Sequence, residues 1–421
     1  MLLKPKKLRQ VYLDHAAATP LSKEVFQAME PFFVTEYGNP SALYKLGLQA
    51  NEALNNARRT IAQVLHALPD NIIFTSGGTE ANNLAVFGVV KVNPHPASLS
   101  QRERGIFLPP PLGEGQGVRA RLGHIISTPI EHHSVLNPLK ELEKQGYEVT
   151  YIKVDKHGLV NPRDVVAAIR PNTVLISIMY ANNEIGTIEP IAEIGRQLLR
   201  YRKEKGTVYP YFHTDACQAA GYLDLDVEKL HVDLMTINGS KIYGPKGVGM
   251  LYVRRGVQIS PLIVGGAQEK HLRAGTENVP GIIGLARALE IAQKQRNKEI
   301  KKQRSLSEYF YKKLITNNLI TNNSFNGPEI GERRLPNNLN VIFPGVEAEK
   351  LLLYLDSFGI SCSAGSACAA EEGETSHVLG ALGLSEQAVK SSLRFSLGRT
   401  TAKLDILYCV KILMHTLVLL K

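Results

Sequence analysis

The 421-residue sequence has no tryptophan, four cysteines, 7% aromatic residues and no long uninterrupted apolar run. Its cysteines, at positions 217, 362, 368 and 409, form no CxxC pair and have no histidine at zinc-finger spacing, so neither a disulfide scaffold nor a metal centre is expected. The most apolar stretch, 406–420, contains Lys411 and His415 and falls short of the roughly 18–20 apolar residues a membrane span requires. It reads as an amphipathic helix packed on a core. Lys4, Lys6, Lys7 and Arg9 make the start basic, but no signal-peptide apolar core follows them. A cytoplasmic protein without membrane contact is expected.

With 44% apolar and 21% charged residues and a mean hydropathy of -0.10, the chain has an ordinary globular profile. Its length suggests two or three domains at about 100–200 residues each. Lys and Arg total 49 against 39 Asp and Glu, giving a formal charge of +10. That excess is dispersed between the N-terminus and a solvated run from Lys294 to Arg304, without interleaved aromatics, so no direct nucleic-acid partner is expected.

Short apolar runs at 71–75, 124–128, 149–154, 174–179, 208–214 and 234–238 alternate with segments of helical length such as 134–145 and 191–202. This alternation predicts an α/β fold with a doubly wound, mainly parallel sheet, and the run 247–253 after a Gly/Pro turn suits an antiparallel neighbour. From about residue 290 the texture changes to a long basic helix, a polar loop at 317–334, then strand, helix and turn. The expected division is an N-terminal segment (1–20) packing on the small domain, a large domain (21–290) and a smaller α+β C-terminal domain (291–421). The Pro- and Gly-rich stretch 93–121, with Pro109-Pro110-Pro111, lacks periodicity and reads as a disordered surface insertion.

Chemistry concentrates where apolar runs end. Lys241 lies just beyond one in Ser240-Lys241-Ile242-Tyr243-Gly244-Pro245-Lys246-Gly247. Burial lowers a lysine's pKa and makes it a Schiff-base nucleophile, although a plain strand-end lysine fits the same stretch. Asp215, closing another run, suits a pyridinium nitrogen or a helix cap. Thr75-Ser76-Gly77-Gly78-Thr79-Glu80 is a strand-to-helix turn suited to phosphate, without the spacing of either common nucleotide-binding glycine motif. Glu131-His132-His133 offers an imidazole after a further strand.

These pieces occur in one order together with Tyr12-Leu13-Asp14-His15-Ala16-Ala17, Tyr37-Gly38-Asn39-Pro40-Ser41, Asn182-Asn183-Glu184-Ile185-Gly186, Asp215-Ala216-Cys217-Gln218, Arg273-Ala274-Gly275-Thr276, Ser363-Ala364-Gly365-Ser366-Ala367-Cys368 and Arg394–Arg399. From about residue 11 to 405, outside the insertion, the sequence resembles the cysteine desulfurases, the NifS/IscS-like branch of the class V pyridoxal-phosphate-dependent aminotransferases. The resemblance implies a homodimer of fold-type I subunits that binds pyridoxal 5'-phosphate and converts L-cysteine to L-alanine with transfer of sulfur to an enzyme cysteine.

It further implies that Lys241 holds the cofactor and moves the Cα proton, Asp215 keeps the pyridine nitrogen protonated, Gln218 bonds the phenolic oxygen and His132 stacks on the ring. Gly78, Thr79 and Ser240 would hold the phosphate, with Thr276 reaching in from the partner subunit. Asn183 and Arg394 would orient the substrate carboxylate, and Cys368 would carry the persulfide to an acceptor protein, an iron–sulfur scaffold or a tRNA-thiolating enzyme. Cys368 lies in a run of small residues before the acidic stretch 371–374, as an accessible thiol requires, whereas Cys217 and Cys409 read as core residues and Cys362 as strand-end packing. Asn238-Gly239-Ser240 stands where the family commonly has Ser, a small residue and His. The alternatives are another class V enzyme, such as a selenocysteine lyase or aminotransferase, or a catalytically impaired homologue that acts as a binding partner.

Overall fold

The computed structural model describes residues 9–92, 122–321, 324–365 and 375–420. Strand β1 (Val11–Tyr12) and helix α1 (Lys45–Leu65) come first, followed by β2 (Ile72–Thr75), α2 (Gly78–Val92), β3 (His124–Ser127), α3 (His133–Lys144), β4 (Glu148–Tyr151) and β5 (Thr173–Ser177). Then come α4 (Ile191–Lys205), β6 (Tyr211–Asp215), β7 (Leu234–Asn238), β8 (Gly249–Val253) and the 38-residue α5 (Val279–Thr316). The chain closes with β9 (Asn338–Ile342), α6 (Ala348–Ser357), β10 (Ile360–Ser361), β11 (Ser392–Ser396) and α7 (Lys403–Leu420). Shorter helices lie between them.

Seven strands form one sheet in the order β2-β8-β7-β6-β5-β3-β4. All are parallel except β8, which runs against both β2 and β7, as the Gly/Pro turn before it suggests. Strands β2, β3, β5, β6 and β8 are buried along their whole length because helices cover both faces, which is why they read as continuous apolar runs. Helix α1 shows the complementary pattern: Ala50, Leu54, Ala57, Ile61 and Leu65 recur every three or four residues along its buried face. The expected α/β architecture is therefore the one observed.

Two of the boundary shifts turn on a proline. Strand β6 starts at Tyr211 rather than 208, because Pro210 has no N–H to give a ladder. The long basic helix starts at Val279 rather than near 290. Pro280 sits in its first turn, where a missing N–H costs nothing, and Asn278 caps it by accepting from the Gly281 N–H. This one helix joins two cores. Ile282, Leu285, Ala286 and Leu289 belong to the apolar cluster beneath the sheet, whereas Leu306, Phe310 and Leu314 belong to a second cluster with β9, β11, α6 and α7. Strand β1 pairs in parallel with β10, so the start of the described chain lies on this second core.

The polar stretch 317–334 ends in the interior. Arg334 is 1% exposed, donates to the carbonyls of Asn326, Pro328 and Asn338, and lies 3.9 Å over the Phe325 ring. Burial lowers its pKa to about 9. The expected insertion at 93–121 lies outside the described residues.

A hairpin-like loop after β5 carries Asn182–Gly186, closed by bonds from the Asn182 N–H to the Thr187 carbonyl and from the Glu189 N–H to the Tyr180 carbonyl. Gly186 turns it with φ of 74°, and a Cβ there would come within 3.0 Å of Asn338. Glu189 is buried beneath, with one oxygen accepting from the Val160 N–H and the other unpartnered. Burial raises its pKa from 4.5 to about 8; the Val160 bond opposes this and the charge of Asp155 adds to it. Because the folded pKa is the higher one, this group's contribution is fully present below pH 4.5 and is lost as pH rises toward 8. The loss is roughly 3–5 kcal/mol, and buried Glu131 contributes the same sign. We expect Glu189→Gln to shrink the fall in melting temperature between pH 5 and pH 8; equal slopes in variant and parent would refute the assignment.

Candidate active site

Strand ends on one side of the sheet face the second core, and between them lies a cleft of about 200 Å³. This is the carboxyl edge of the parallel strands, where α/β sheets commonly bind ligands. Its lining includes Gly78 and Thr79 after β2, His132 after β3, Asn183 after β5, Asp215 and Gln218 at the end of β6, Lys241 after β7, and Arg394 from β11 of the second core. These eight expected residues, spread over more than three hundred positions, share one cavity.

Lys241 is the least conventionally partnered of them. Its Nζ donates to the carbonyls of Ala16 (2.9 Å) and Ala17 (2.5 Å). No carboxylate is within ion-pair distance among the described residues, and burial, the largest influence, lowers its pKa. Gln218 Nε2 donates to the same Ala16 carbonyl at 2.9 Å. Asp215 is 6% exposed; Oδ1 accepts from the Cys217 N–H at 2.9 Å and Oδ2 from Asn82 Nδ2 at 2.7 Å. His132 caps α3 with Nδ1, and burial lowers its pKa, opposed by Asp215 and reinforced by Lys241.

Arg394 is 1% exposed. It pairs with Asp14 (Nη2 to Oδ1, 2.7 Å), donates from Nη1 to the Asn183 carbonyl at 3.1 Å, and keeps Nε unpartnered. Asn338 Nδ2 also donates to the Asn183 carbonyl, at 3.3 Å. Residues of the second core thus fix both the guanidinium and the loop opposite it.

The remaining expectations divide. The Ser240 hydroxyl donates to Asn238 Oδ1 at 3.2 Å, and it is Asn238, not Ser240, that lines the cleft. Thr276 is exposed on the loop before α5 and does not line the cleft of its own chain. Cys368 lies outside the described residues. Cys362 and Cys409 are buried in the second core, as their apolar settings suggest, whereas Cys217 is buried yet borders the cleft. Asp14, Asn82, Ser134 and Asn338 were not singled out from sequence. Asp14 was legible only as part of the N-terminal motif, and the others carry no local signal.

The donor set fits pyridoxal phosphate. Gly78 and Thr79 open the 15-residue α2, whose first amides have no intrahelical partner, and a Cβ on Gly78 would intrude to 3.0 Å from Cys217 Sγ and 3.1 Å from Asn238 Nδ2. An anion at that helix end, an acid across the cleft at Asp215 and an imidazole and a buried amine between them are the four contacts such a molecule needs. Among the described residues no His, Cys, Asp and Glu group is arranged to hold a metal ion, and no helix is long and apolar enough to cross a membrane.

The family model described as aminotransferase class-V matches residues 11–97 and 117–408. Cysteine desulfurase IscS of Dictyoglomus turgidum is 45% identical over 405 residues, covering 96% of this chain and 94% of the relative. The protein of the same name from Methanosarcina thermophila is 44% identical, covering 94% and 89%. Among solved structures, a NifS-like protein superposes with a TM-score of 0.83 at 34% identity, covering 98% of this chain and all of that one. A structure described as SspA in complex with cysteine gives 0.72 at 35%, covering 92% and 99%. The matched ranges span both cores and contain every residue that lines the cleft, and the chain belongs to the class-V aminotransferase family.

Proposed function

We propose that this chain is a cysteine desulfurase that uses pyridoxal 5'-phosphate to convert L-cysteine to L-alanine, with the sulfur passing to Cys368 as a persulfide. The observation that carries the reading is the convergence of Lys241, Asp215, His132 and Arg394, from both cores, on one cleft. Relatives named cysteine desulfurase, and a similar structure holding cysteine, support it.

When bound, the cofactor supplies an electron sink for negative charge at the substrate's Cα. Gly78 and Thr79 amides would hold the phosphate, Asp215 the pyridine nitrogen and Gln218 the phenolic oxygen, and His132 would cover the ring. The Arg394 guanidinium, braced by Asp14, and Asn183 take the substrate carboxylate. Lys241, whose charge burial disfavours, is the amine placed to lift the Cα proton. Cys368 then attacks the substrate sulfur: an S–S bond forms, the Cβ–S bond breaks, and its electron pair is left on the carbon skeleton that is protonated to alanine.

We further propose that the chain works as a homodimer in which Thr276 serves the partner's phosphate site. Exposed Leu43 (89%), Tyr44 and Val264 (85%) support this, being costly to leave in water. The two cores then act as large and small domains joined by α5. A cytoplasmic location and delivery of the sulfur to an acceptor protein complete the reading, in keeping with free thiols at Cys217, Cys362 and Cys409.

Asp215→Asn tests it. The neutral amide no longer stabilises a protonated pyridine nitrogen, so cofactor is expected to remain while alanine formation falls by at least about 10²-fold. Turnover within a factor of two of the parent would make Asp215 merely structural.

A further inference from the structure

His132 meets the cleft with one ring edge already committed. The backbone N–H of Ser134 donates to His132 Nδ1 at 3.1 Å, closing the first turn of α3. A nitrogen that accepts from an amide carries no proton, so the ring proton is on Nε2. The Ser134 hydroxyl lies 2.8 Å from the same Nδ1 and must therefore be its second donor.

What orients that hydroxyl is Asn82, whose Nδ2 donates to Ser134 Oγ at 2.8 Å and to Asp215 Oδ2 at 2.7 Å. The amide faces this way because its oxygen would otherwise confront a carboxylate. Asn82 thus donates both to Asp215 and to Ser134, whose hydroxyl donates on to Nδ1, with Asn82 and Ser134 almost wholly buried. His132 Nε2 has no partner among the described residues, and the residue lines the cleft.

We propose that the Ser134 backbone N–H locks His132 in its Nε2–H tautomer and that the Ser134 hydroxyl, oriented by Asn82, is a positioning group that keeps the ring neutral, so that His132 meets the substrate sulfur as a hydrogen-bond donor and not as the base that takes the thiol proton. Nδ1, where an incoming proton would have to sit, faces two donors, and protonation there would break the helix cap. Burial disfavours the charged ring too; of the charged and titratable groups facing it, Asp215 favours the charge and Lys241, His133 and His377 oppose it. The donor role toward sulfur rests on the desulfurase reading, whereas the tautomer does not.

The test is 15N NMR of the full-length protein labelled at the histidine ring nitrogens, with the His132 signals assigned by their loss in His132→Gln. Between pH 6 and 8 the expected pattern is an unprotonated Nδ1 and a proton-bearing Nε2. Ser134→Ala keeps the backbone donor, and hence the tautomer, but removes the hydroxyl that favours the neutral ring. Its His132 pKa is expected to rise by roughly 0.5–1 unit, and Ser134→Thr to restore the parent value. The acid limb of the pH profile for alanine formation should move by the same amount. A proton on Nδ1, a charged ring across this range, or no shift in Ser134→Ala would overturn the proposal. If the parent forms no alanine from cysteine, the desulfurase reading and the donor role fall together while the tautomer result stands; a proton on Nδ1 in an active enzyme sinks this inference alone.

Discussion

Lys241→Ala is expected to abolish cysteine-dependent alanine formation and to leave no cofactor that borohydride can fix to the chain. The amine of Lys241 is held by two backbone carbonyls, those of Ala16 and Ala17, and has its charge disfavoured by burial. Losing a positioned proton carrier alone costs about 10²–10⁴-fold in rate, and losing the covalent anchor adds to it. The fold is expected to survive, because the Ala16 carbonyl keeps its bond from Gln218, only the Ala17 carbonyl loses its donor at about 1 kcal/mol, and the space opens toward an existing cleft. A melting curve close to the parent's, with alanine release at background, is the predicted pair of measurements. Cofactor still fixed by borohydride in this variant would show that another amine holds it.

The sheet is legible because most of its strands are short apolar runs stopped by a polar or glycine-containing turn, a pattern that burial on both faces imposes, whereas the edge strand β4 is only half-buried. Expectation and structure part where composition and hydrogen bonding disagree. Val208 and Tyr209 look like strand, but the Pro210 that follows cannot donate to a ladder, so pairing begins at Tyr211. The long helix expected from about residue 290 begins at Val279, because the first turn of a helix has no use for a proline N–H. Arg334 reads as solvated loop, and only the fold reveals the three carbonyls that replace its water.

At the site, Lys241, Asp215 and His132 were visible because each closes or follows a strand, the place where a parallel sheet presents side chains to a ligand. Their supports were not. Asp14 reaches Arg394 across 380 positions, and Asn82 meets Asp215 across 133, so no spacing rule connects them. Ser240 shows the opposite case: the resemblance implies a phosphate contact, whereas its hydroxyl donates to Asn238 Oδ1. Motifs mark the groups that touch a ligand, while tertiary packing chooses the groups that aim them.

Cysteine chemistry gives the second large effect. A thiol attacks sulfur as its thiolate, and three of the four cysteines are held away from that state. Burial raises the pKa of Cys362 in the second core, assisted by the charge of Asp14, and does the same to Cys409 beside it. Cys217 borders the cleft but is raised as well, by burial first and then by Asp215. That leaves Cys368, in its stretch of small residues, for which the resemblance implies the persulfide role proposed above. Cys368→Ser is therefore expected to bind cysteine and still shift the cofactor's absorption, yet to form neither persulfide nor alanine above background, since a hydroxyl is a poor nucleophile toward sulfur. Cys362→Ser and Cys217→Ala are expected to keep both products. The measurement is alanine release alongside the mass of the intact chain, which gains one sulfur atom per persulfide. Loss of both products in Cys362→Ser or Cys217→Ala, with Cys368→Ser active, would move the sulfur acceptor to the buried thiol and overturn the proposed role of Cys368.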